Sequence, residues 1–328
     1  MSGRPCASVV VPTRNRAHLL PRLVGCLAAS EGVDAFEVVI VDDCSTDDTS
    51  EVLERLAASS TLELRVHRTA HAAGAAAARN VGWRIASSPL IAFTDDDCRP
   101  DRQWLAHLLA GFASADVVQG RTTSDATEGF GGGPFSQVVR VESFSGQFET
   151  SNVGYRREVL EALDGFDELF GGDSFGEDVD LAWRAIERGA RTAFIADAVV
   201  VHDVKRSSGW SEFVASVRDA RRWRHIGRVL KDHPGYRPYR LHRGPFLAPT
   251  HAPTLLALIG VVGLLVRGRV RGLSLLLLAP WVVHRLVKEP RPGRRRTQLA
   301  ALPATFVVDA VETATVTMSG IRHRIFVL

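Results

Sequence analysis

Three observations predict an α/β fold with a mostly parallel sheet and helices on both faces, followed by a helical C-terminal region. Short β-branched apolar runs alternate with helical stretches through the first 100 residues. Repeated βα units of this kind build a parallel sheet. Beyond residue 246 the chain changes to long apolar segments divided by arginines.

Residues 7–11 (Ala-Ser-Val-Val-Val) read as a buried strand, and 19–29 as a helix. Residues 36–41 form the second strand, and 49–58 a second helix behind the cap-type residues Ser45, Thr46, Asp47 and Asp48. A third strand covers 62–67, an Ala-rich helix 72–86, and a fourth strand 90–93. In such a sheet ligands bind at the carboxyl ends of the strands, so loops 12–16, 42–47 and 95–101 converge on one crevice. From 111 to 150 the signals weaken. The glycine-rich run 129–133 reads either as a flexible loop near the site or as a surface excursion. A short helix ends at Leu163, a helix follows over 178–188 and a strand over 193–201.

The chain has 328 residues, enough for about two domains. We place the division at 235, with 1–235 catalytic and 236–328 helical and basic. The net charge of +3 is too small to argue for nucleic acid. Its distribution is uneven, with acids clustered at 42–51, 95–101 and 161–180 and arginines dominating from about 218. A basic tail suits an anionic surface. Cys6, Cys26, Cys44 and Cys98 show no paired spacing and read as reduced thiols of a cytosolic compartment. The first apolar run is too short for a signal peptide and is broken by Pro12.

Asp95-Asp96-Asp97 directly follows the fourth strand. Three adjacent carboxylates repel, and one must bind its proton more tightly unless a cation neutralises them. A hard divalent ion, Mg²⁺ or Mn²⁺, is the natural partner and takes its remaining ligands from substrate phosphates. The alternative is a polar turn with a helix cap.

Four more segments accompany the triplet. They are Pro12-Thr13-Arg14-Asn15-Arg16, Asp42-Asp43-Cys44-Ser45, Arg79-Asn80-Val81-Gly82 and Glu177-Asp178-Val179-Asp180-Leu181-Ala182-Trp183-Arg184. Together, and in this order, the five resemble the family 2 glycosyltransferases of Rossmann-like GT-A fold over roughly residues 6–205. The resemblance implies a metal-dependent, inverting transfer of a sugar from a nucleotide diphosphate donor to a hydroxyl acceptor. It places Pro12, Thr13 and Arg14 along the nucleotide, and Asp42 and Asp43 on the base and ribose. It sets Arg79 near the nucleotide or diphosphate, although a helix-surface arginine fits the same sequence. Asp95 approaches the ribose and joins Asp97 at the metal; whether Asp96 or Asp97 coordinates directly stays open. Asn152 belongs to the segment beneath the donor sugar. Glu177-Asp178 matches the pair whose aspartate is the general base. Both acids open a helix, where the dipole would keep Asp178 ionised at neutral pH. Asp180 and Arg184 are expected to pair on its outer face. Trp183 either stacks on a sugar or fills the core. His202 is either a third metal ligand or a structural residue.

Two other readings compete with this one. A sugar-nucleotide pyrophosphorylase needs a glycine in the first phosphate loop, and 12–16 has none. A non-catalytic membrane-bound sugar-nucleotide sensor or scaffold sits poorly with the intact acids.

Segments 252–266 and 273–287 are apolar on every face but shorter than the ~20 residues that span a bilayer. Arg267, Arg269 and Arg271 divide them, and crossing would carry these charges over. The expectation is a shallow hairpin lying on an anionic membrane surface at the cytoplasmic face, with spanning helices as the alternative. A third apolar-rich stretch, 299–318, carries Asp309 and Glu312. Such a membrane-associated enzyme suits a lipid-linked or exported glycan acceptor.

Overall fold

The computed structural model describes residues 5–124, 139–170, 175–203, 210–265, 270–288 and 295–328. The glycine-rich run 129–133, Arg267 and Arg269 lie outside the described residues. The chain packs as two compact units. One holds the described residues up to 203 apart from 175 and 176, and the other holds the rest.

The first unit is one eight-stranded sheet with helices on both faces. Its strands are β1 (Ala7–Thr13), β2 (Phe36–Asp42), β3 (Glu63–Arg68), β4 (Leu90–Phe93), β5 (Cys98–Pro100), β6 (Val117–Ser124), β7 (Val153–Arg156) and β8 (Thr192–His202). Its helices are α1 (Leu20–Ala28), α2 (Thr49–Ser59), α3 (Ala75–Ile85), α4 (Trp104–Ala110), α5 (Arg157–Leu163) and α6 (Glu177–Glu187). The strand order is β3-β2-β1-β4-β7-β6-β8-β5.

β1 is buried throughout, which is why its sequence is a continuous apolar run. Alternate side chains point to opposite faces of the sheet. Val9 and Val11 pack with Leu20, Leu23 and Leu27 of α1, whereas Val10 packs with Ala78 and Trp83 of α3. Gly82 lets α3 approach β1; a Cβ there would collide with the Val10 side chain.

The sheet is parallel from β3 to β4, as the βα alternation predicts, and then becomes mixed. β7 runs antiparallel to both β4 and β6, and β5 antiparallel to β8. None of β5, α4, β6 and β7 is assigned from the sequence, and of these β6 lies in the stretch of weak signals from 111 to 150. β5 has only three residues, and β6 carries Gln119, Arg121, Thr122 and Ser124 among its apolar positions.

The order of the strands reverses at β1. β4 pairs with β1 only as far as Val10↔Phe93, while β2 continues to Thr13↔Asp42. The last residues of β1 therefore project past β4 and leave a notch, into which 94–97 turns. Pro12, which lacks an N–H, is accommodated where β4 has already ended.

The second unit is helical, with α7 (Trp210–Asp219), α8 (Ile226–Asp232), α9 (Arg237–Arg240), α10 (His251–Leu265), α11 (Val270–Val283) and α12 (Arg295–His323). α10 and α11 have 15 and 14 residues, so each is about 22 Å long against a hydrocarbon core of ~30 Å. Among the described residues, the helix long and apolar enough to cross a membrane is instead Gln298–His323, within α12. This moves the strongest membrane signal away from the hairpin that the sequence suggested. The acids that argued against 299–318 have partners inside the unit. Trp281 Nε1 and Arg285 Nε each donate to Asp309 Oδ2 at 2.8 Å, and His251 Nε2 lies 3.4 Å from Glu312 Oε1. Polar groups in an apolar helix are tolerated where they face such partners.

Candidate active site

The notch beside β1 is closed by hydrogen bonds between the loops that the sequence brought together. Asn15, with φ 54°, receives a hydrogen bond from Thr46 N at 2.7 Å and donates its own N–H to Ser45 Oγ at 2.9 Å. Thr13 Oγ1 donates to Asp96 Oδ2 at 2.7 Å, joining the first loop to the aspartate triplet. Arg14 is exposed beside them.

The three aspartates have separate surroundings. Asp96 turns toward Thr13. Burial, added to the charges of Asp97 and Asp95, pushes its carboxyl up to about 6 despite the Thr13 hydrogen bond. This is the proton-binding member that the repulsion argument required. Asp95 and Asp97 instead face a group with Cys98 and His202, whose ligand atoms all lie within 4.8 Å of one another. Asp97, rather than Asp96, thus belongs to the candidate metal site.

The β5–β8 pairing brings His202 there, opposite Cys98. His202 Nε2 lies 3.3 Å from Asp97 Oδ1, and its Nδ1 is 2.9 Å from the Asp203 carbonyl. A carbonyl only accepts, so Nδ1 carries a hydrogen, and Nε2 is the ring nitrogen that faces the site. Two carboxylates and an imidazole fit a hard or borderline divalent ion. The buried Cys98 thiol, which burial and the neighbouring aspartates hold well above its ordinary range, is the least suited donor of the four.

Sequence reasoning passed over Asp203. Its N–H donates to the Asp97 carbonyl at 2.9 Å, while its carboxylate pairs with Arg22 and lies 3.3 Å from Arg99 Nε. The adjacent His202 was the only signal pointing to it.

Arg79 is not a surface arginine. Its side chain is 5% exposed, Nη2 donates to Asp95 Oδ1 at 2.9 Å and Nη1 reaches Glu177 Oε1 at 3.4 Å. Burial opposes its charge, but Asp95 and Glu177 raise its pKa further. One guanidinium therefore links Asp95, of the candidate metal group, to Glu177 at the start of α6.

The helix-start argument for Asp178 needs correction. Its Oδ1 does accept from Val179 N at 2.9 Å. Burial, with the nearby charges of Glu177 and Glu149, nevertheless pushes its pKa well above the ordinary carboxylate range. Glu177 is raised as well, by burial acting against the pull of Arg79. A desolvated acid beside another acid holds its proton more tightly than the dipole alone suggests.

Other expectations resolve by burial. Asp180 and Arg184 do pair, Nε to Oδ2 at 2.7 Å, but on the buried side of α6 and not on its outer face. Arg184 also donates to the carbonyls of Leu163 and Gly165, which fixes α6 beside α5. Trp183 is a core residue whose Nε1 donates to the Gly146 carbonyl at 2.9 Å. Asn152 is fully buried. Its Oδ1 accepts from Trp104 Nε1 at 2.8 Å and its Nδ2 donates to the carbonyls of Arg121 and Ala198. The amide is thus spent on holding β6, β8 and α4 together, where Gly120 makes room for it, and not presented to a sugar.

Asp42 and Asp43 sit at the end of β2 with most of their acceptor capacity in use. Asp42 accepts from Ser45 N, Ser50 Oγ and Arg68 Nη1, all at 2.9 Å. Asp43 accepts from Ala73 N at 2.9 Å and Gly74 N at 2.8 Å. Both carboxylates shape the rim of the notch.

The family model for glycosyl transferase family 2 matches residues 8–163. Pre-mycofactocin glycosyltransferase of Mycobacterium tuberculosis is 35% identical over 216 residues, which cover 60% of this chain and 42% of that protein. Validoxylamine A glucosyltransferase of Streptomyces hygroscopicus is 33% identical over 218 residues, covering 55% of this chain and 51% of that one. The chain spans about half the length of these relatives. Among solved structures, mannosyltransferase PcManGT of Pyrobaculum calidifontis, in complex with GDP-Man and Mn²⁺, aligns with TM-score 0.57 at 20% identity over 98% of this chain and 88% of its own. S. aureus TarS 1–349 with UDP-GlcNAc aligns with TM-score 0.51, also at 20% identity, over 97% and 92%. At that identity the structures speak for the fold. Residues 8–163 are thus similar to glycosyl transferase family 2, and they are carried on the GT-A fold that the solved structures share.

Proposed function

We propose that the chain is a metal-dependent, inverting glycosyltransferase that moves a sugar from a nucleotide diphosphate donor to a hydroxyl acceptor. The observation that carries the reading is the Arg79 link between Asp95, on the candidate metal side, and Glu177, beside the base. Donor and acceptor chemistry then share one crevice. Asp42 and Asp43 shape the base and ribose subsite, with Pro12, Thr13 and Arg14 along the nucleotide.

Asp97, Asp95 and His202 would hold Mg²⁺ or Mn²⁺, which supplies Lewis-acid neutralisation of charge on the departing diphosphate. Asp178 takes the proton from the acceptor hydroxyl. Its raised pKa matches this task, because the base must bind the proton it removes. Arg79 keeps Glu177 and Asp95 from repelling each other. A single displacement assisted by one base inverts the anomeric carbon.

In this reading residues 1–235 carry the reaction and 236–328 meet the membrane. α12 would anchor the chain, with the reaction at the cytoplasmic face and an anionic lipid surface as partner. Membrane attachment favours a lipid-linked or exported glycan as acceptor. A small-molecule acceptor is the second reading, favoured by the relatives named for pre-mycofactocin and validoxylamine A.

The test is release of free nucleoside diphosphate from a panel of GDP- and UDP-sugars by the purified chain. Each donor is run with and without Mn²⁺, then with lipid-phosphate or small hydroxyl acceptors. Turnover of no donor under any condition would overturn the enzymatic reading.

A further inference from the structure

The helical unit contains a cavity of about 470 Å³ to which no residue of the aspartate site belongs. That volume lies within the ~300–1,000 Å³ of small-ligand pockets. Its lining combines the apolar Phe246, Pro253 and Leu256 with the polar His242, Arg243 and His284. His242 and Arg243 are exposed, whereas His284 is buried.

The segment that carries Arg243 is held in place. Arg243 has φ 47° and Gly244 φ 98°. A left-handed arginine is uncommon and costs about 1–2 kcal/mol, so its surroundings must enforce it. His242 N donates to the Phe246 carbonyl at 2.6 Å, and Arg240 Nη1 to the Leu247 carbonyl at 3.0 Å. Leu247 N donates to the Leu328 carbonyl and Leu328 N to the Pro245 carbonyl, both at 2.8 Å. The guanidinium thus stands on a fixed mount. Among the described residues, Arg243 has no carboxylate partner. Leu256, which also lines the cavity, is exposed, and α10 continues with Ile259 and Val262, 61% and 63% exposed.

A ligand that suits a cationic and apolar lining has an anionic head and a hydrocarbon chain. The planar fork of arginine matches phosphate oxygens, and an apolar chain would cover the exposed side of α10. We propose that this cavity binds one anionic phospholipid, with its phosphate at Arg243 and His242 and an acyl chain leaving past Leu256, Ile259 and Val262. The site would fix the helical unit at one depth in the leaflet. This rests on the reading that the unit meets a membrane.

The test is calorimetric titration of the full chain, in neutral detergent, with dihexanoyl-phosphatidylglycerol, dihexanoyl-phosphatidylcholine and inorganic phosphate. The expected result is one phosphatidylglycerol per chain, bound at least about tenfold more tightly than either of the others. Arg243→Asn removes the charge and keeps a residue that tolerates the left-handed backbone. Ala252→Phe fills the cavity without changing charge. Each should weaken phosphatidylglycerol by about tenfold at unchanged Tm. If Ala252→Phe does not fold, Arg243→Asn alone decides. Equal binding of the two lipids, or an Arg243→Asn variant that binds like wild type, would overturn the lipid site. Phosphate binding as tight as phosphatidylglycerol would also overturn it, leaving a simple anion site. Carbonate extraction of the chain from cell membranes separates the two readings. A resistant chain without lipid preference sinks the cavity proposal alone, whereas a released chain that keeps the preference sinks only the membrane reading.

Discussion

Arg79 Nη2 donates to Asp95 Oδ1 at 2.9 Å from a side chain that is 5% exposed, while Nη1 of the same group reaches Glu177. Buried charges of this kind depend on one another. Removing the cation leaves two acids facing each other without compensation, which costs about 3–5 kcal/mol. Arg79→Met should therefore lower Tm and abolish transfer. Arg79→Lys, which keeps the charge but not the fork, should recover much of the stability and little of the activity. Thermal unfolding and donor turnover measured on both variants check this.

Asp178→Asn should fold normally and lose about 10²–10⁴-fold in kcat. The pH profile supplies a second readout. The base works only when deprotonated, and burial together with Glu177 and Glu149 raises its pKa. Activity should be lost as pH falls through that raised value, with the acid limb above the ordinary carboxylate range. A limb near pH 4 would contradict the assignment.

Chelation should abolish transfer, and added Mn²⁺ or Mg²⁺ should restore it. Asp97→Asn and His202→Ala should each weaken Mn²⁺ binding. Asp203→Asn, which keeps the backbone bonds but removes the carboxylate that Arg22 and Arg99 hold in place beside Asp97 and His202, should cost about 10–100-fold in metal affinity. Titration of Mn²⁺ against activity and by calorimetry distinguishes these from simple loss of fold.

Asp96 predicts an unusual slope of stability with pH in the metal-free protein. Its folded pKa, about 6, exceeds the ordinary 3.8, so the folded state binds the proton more tightly. The resulting stability is present below about pH 4 and lost as pH rises through 6. Two units amount to about 3 kcal/mol as an order of magnitude. The slope should appear in the difference between wild type and Asp96→Asn, followed by Tm from pH 4 to 7. Mn²⁺ should flatten it by neutralising the cluster.

Asn152→Ala should destabilise the fold and leave no distinct donor-specificity effect. It would strand Trp104 Nε1 and two buried carbonyls, at about 1–3 kcal/mol for each unsatisfied group. A stable variant with altered donor preference would restore the sugar-contact role.

The parallel half of the sheet was legible because β1, β2 and β4 are buried apolar runs that end in polar loops. Thr13, Asp96 and Asp97 could be placed near one another for the same reason, since strand ends in such a sheet converge, whereas Arg79, on α3, came only through the family resemblance. The antiparallel half was not legible. β5 owes its place to β8 and not to its own three residues, and β6 hides polar side chains inside the sheet. Asn152 misled because a sequence does not state whether an amide faces solvent or three buried partners. Asp203 left no trace because it acts largely through its backbone. The proton affinity of Asp178 also escaped prediction, since the helix dipole is local while desolvation depends on the whole site.

The pairing of Cys98 with His202 gives β5 a second significance. It is an edge strand, held by three residues along one neighbour. Sliding that pairing by one position would put Val201 opposite Cys98, an isopropyl group in place of the imidazole. A cation gripped between Asp97 and His202 would therefore stitch the two strands in their native alignment. Loading the ion and finishing the sheet would then be one event, and a chain starved of metal should fray first at this hem.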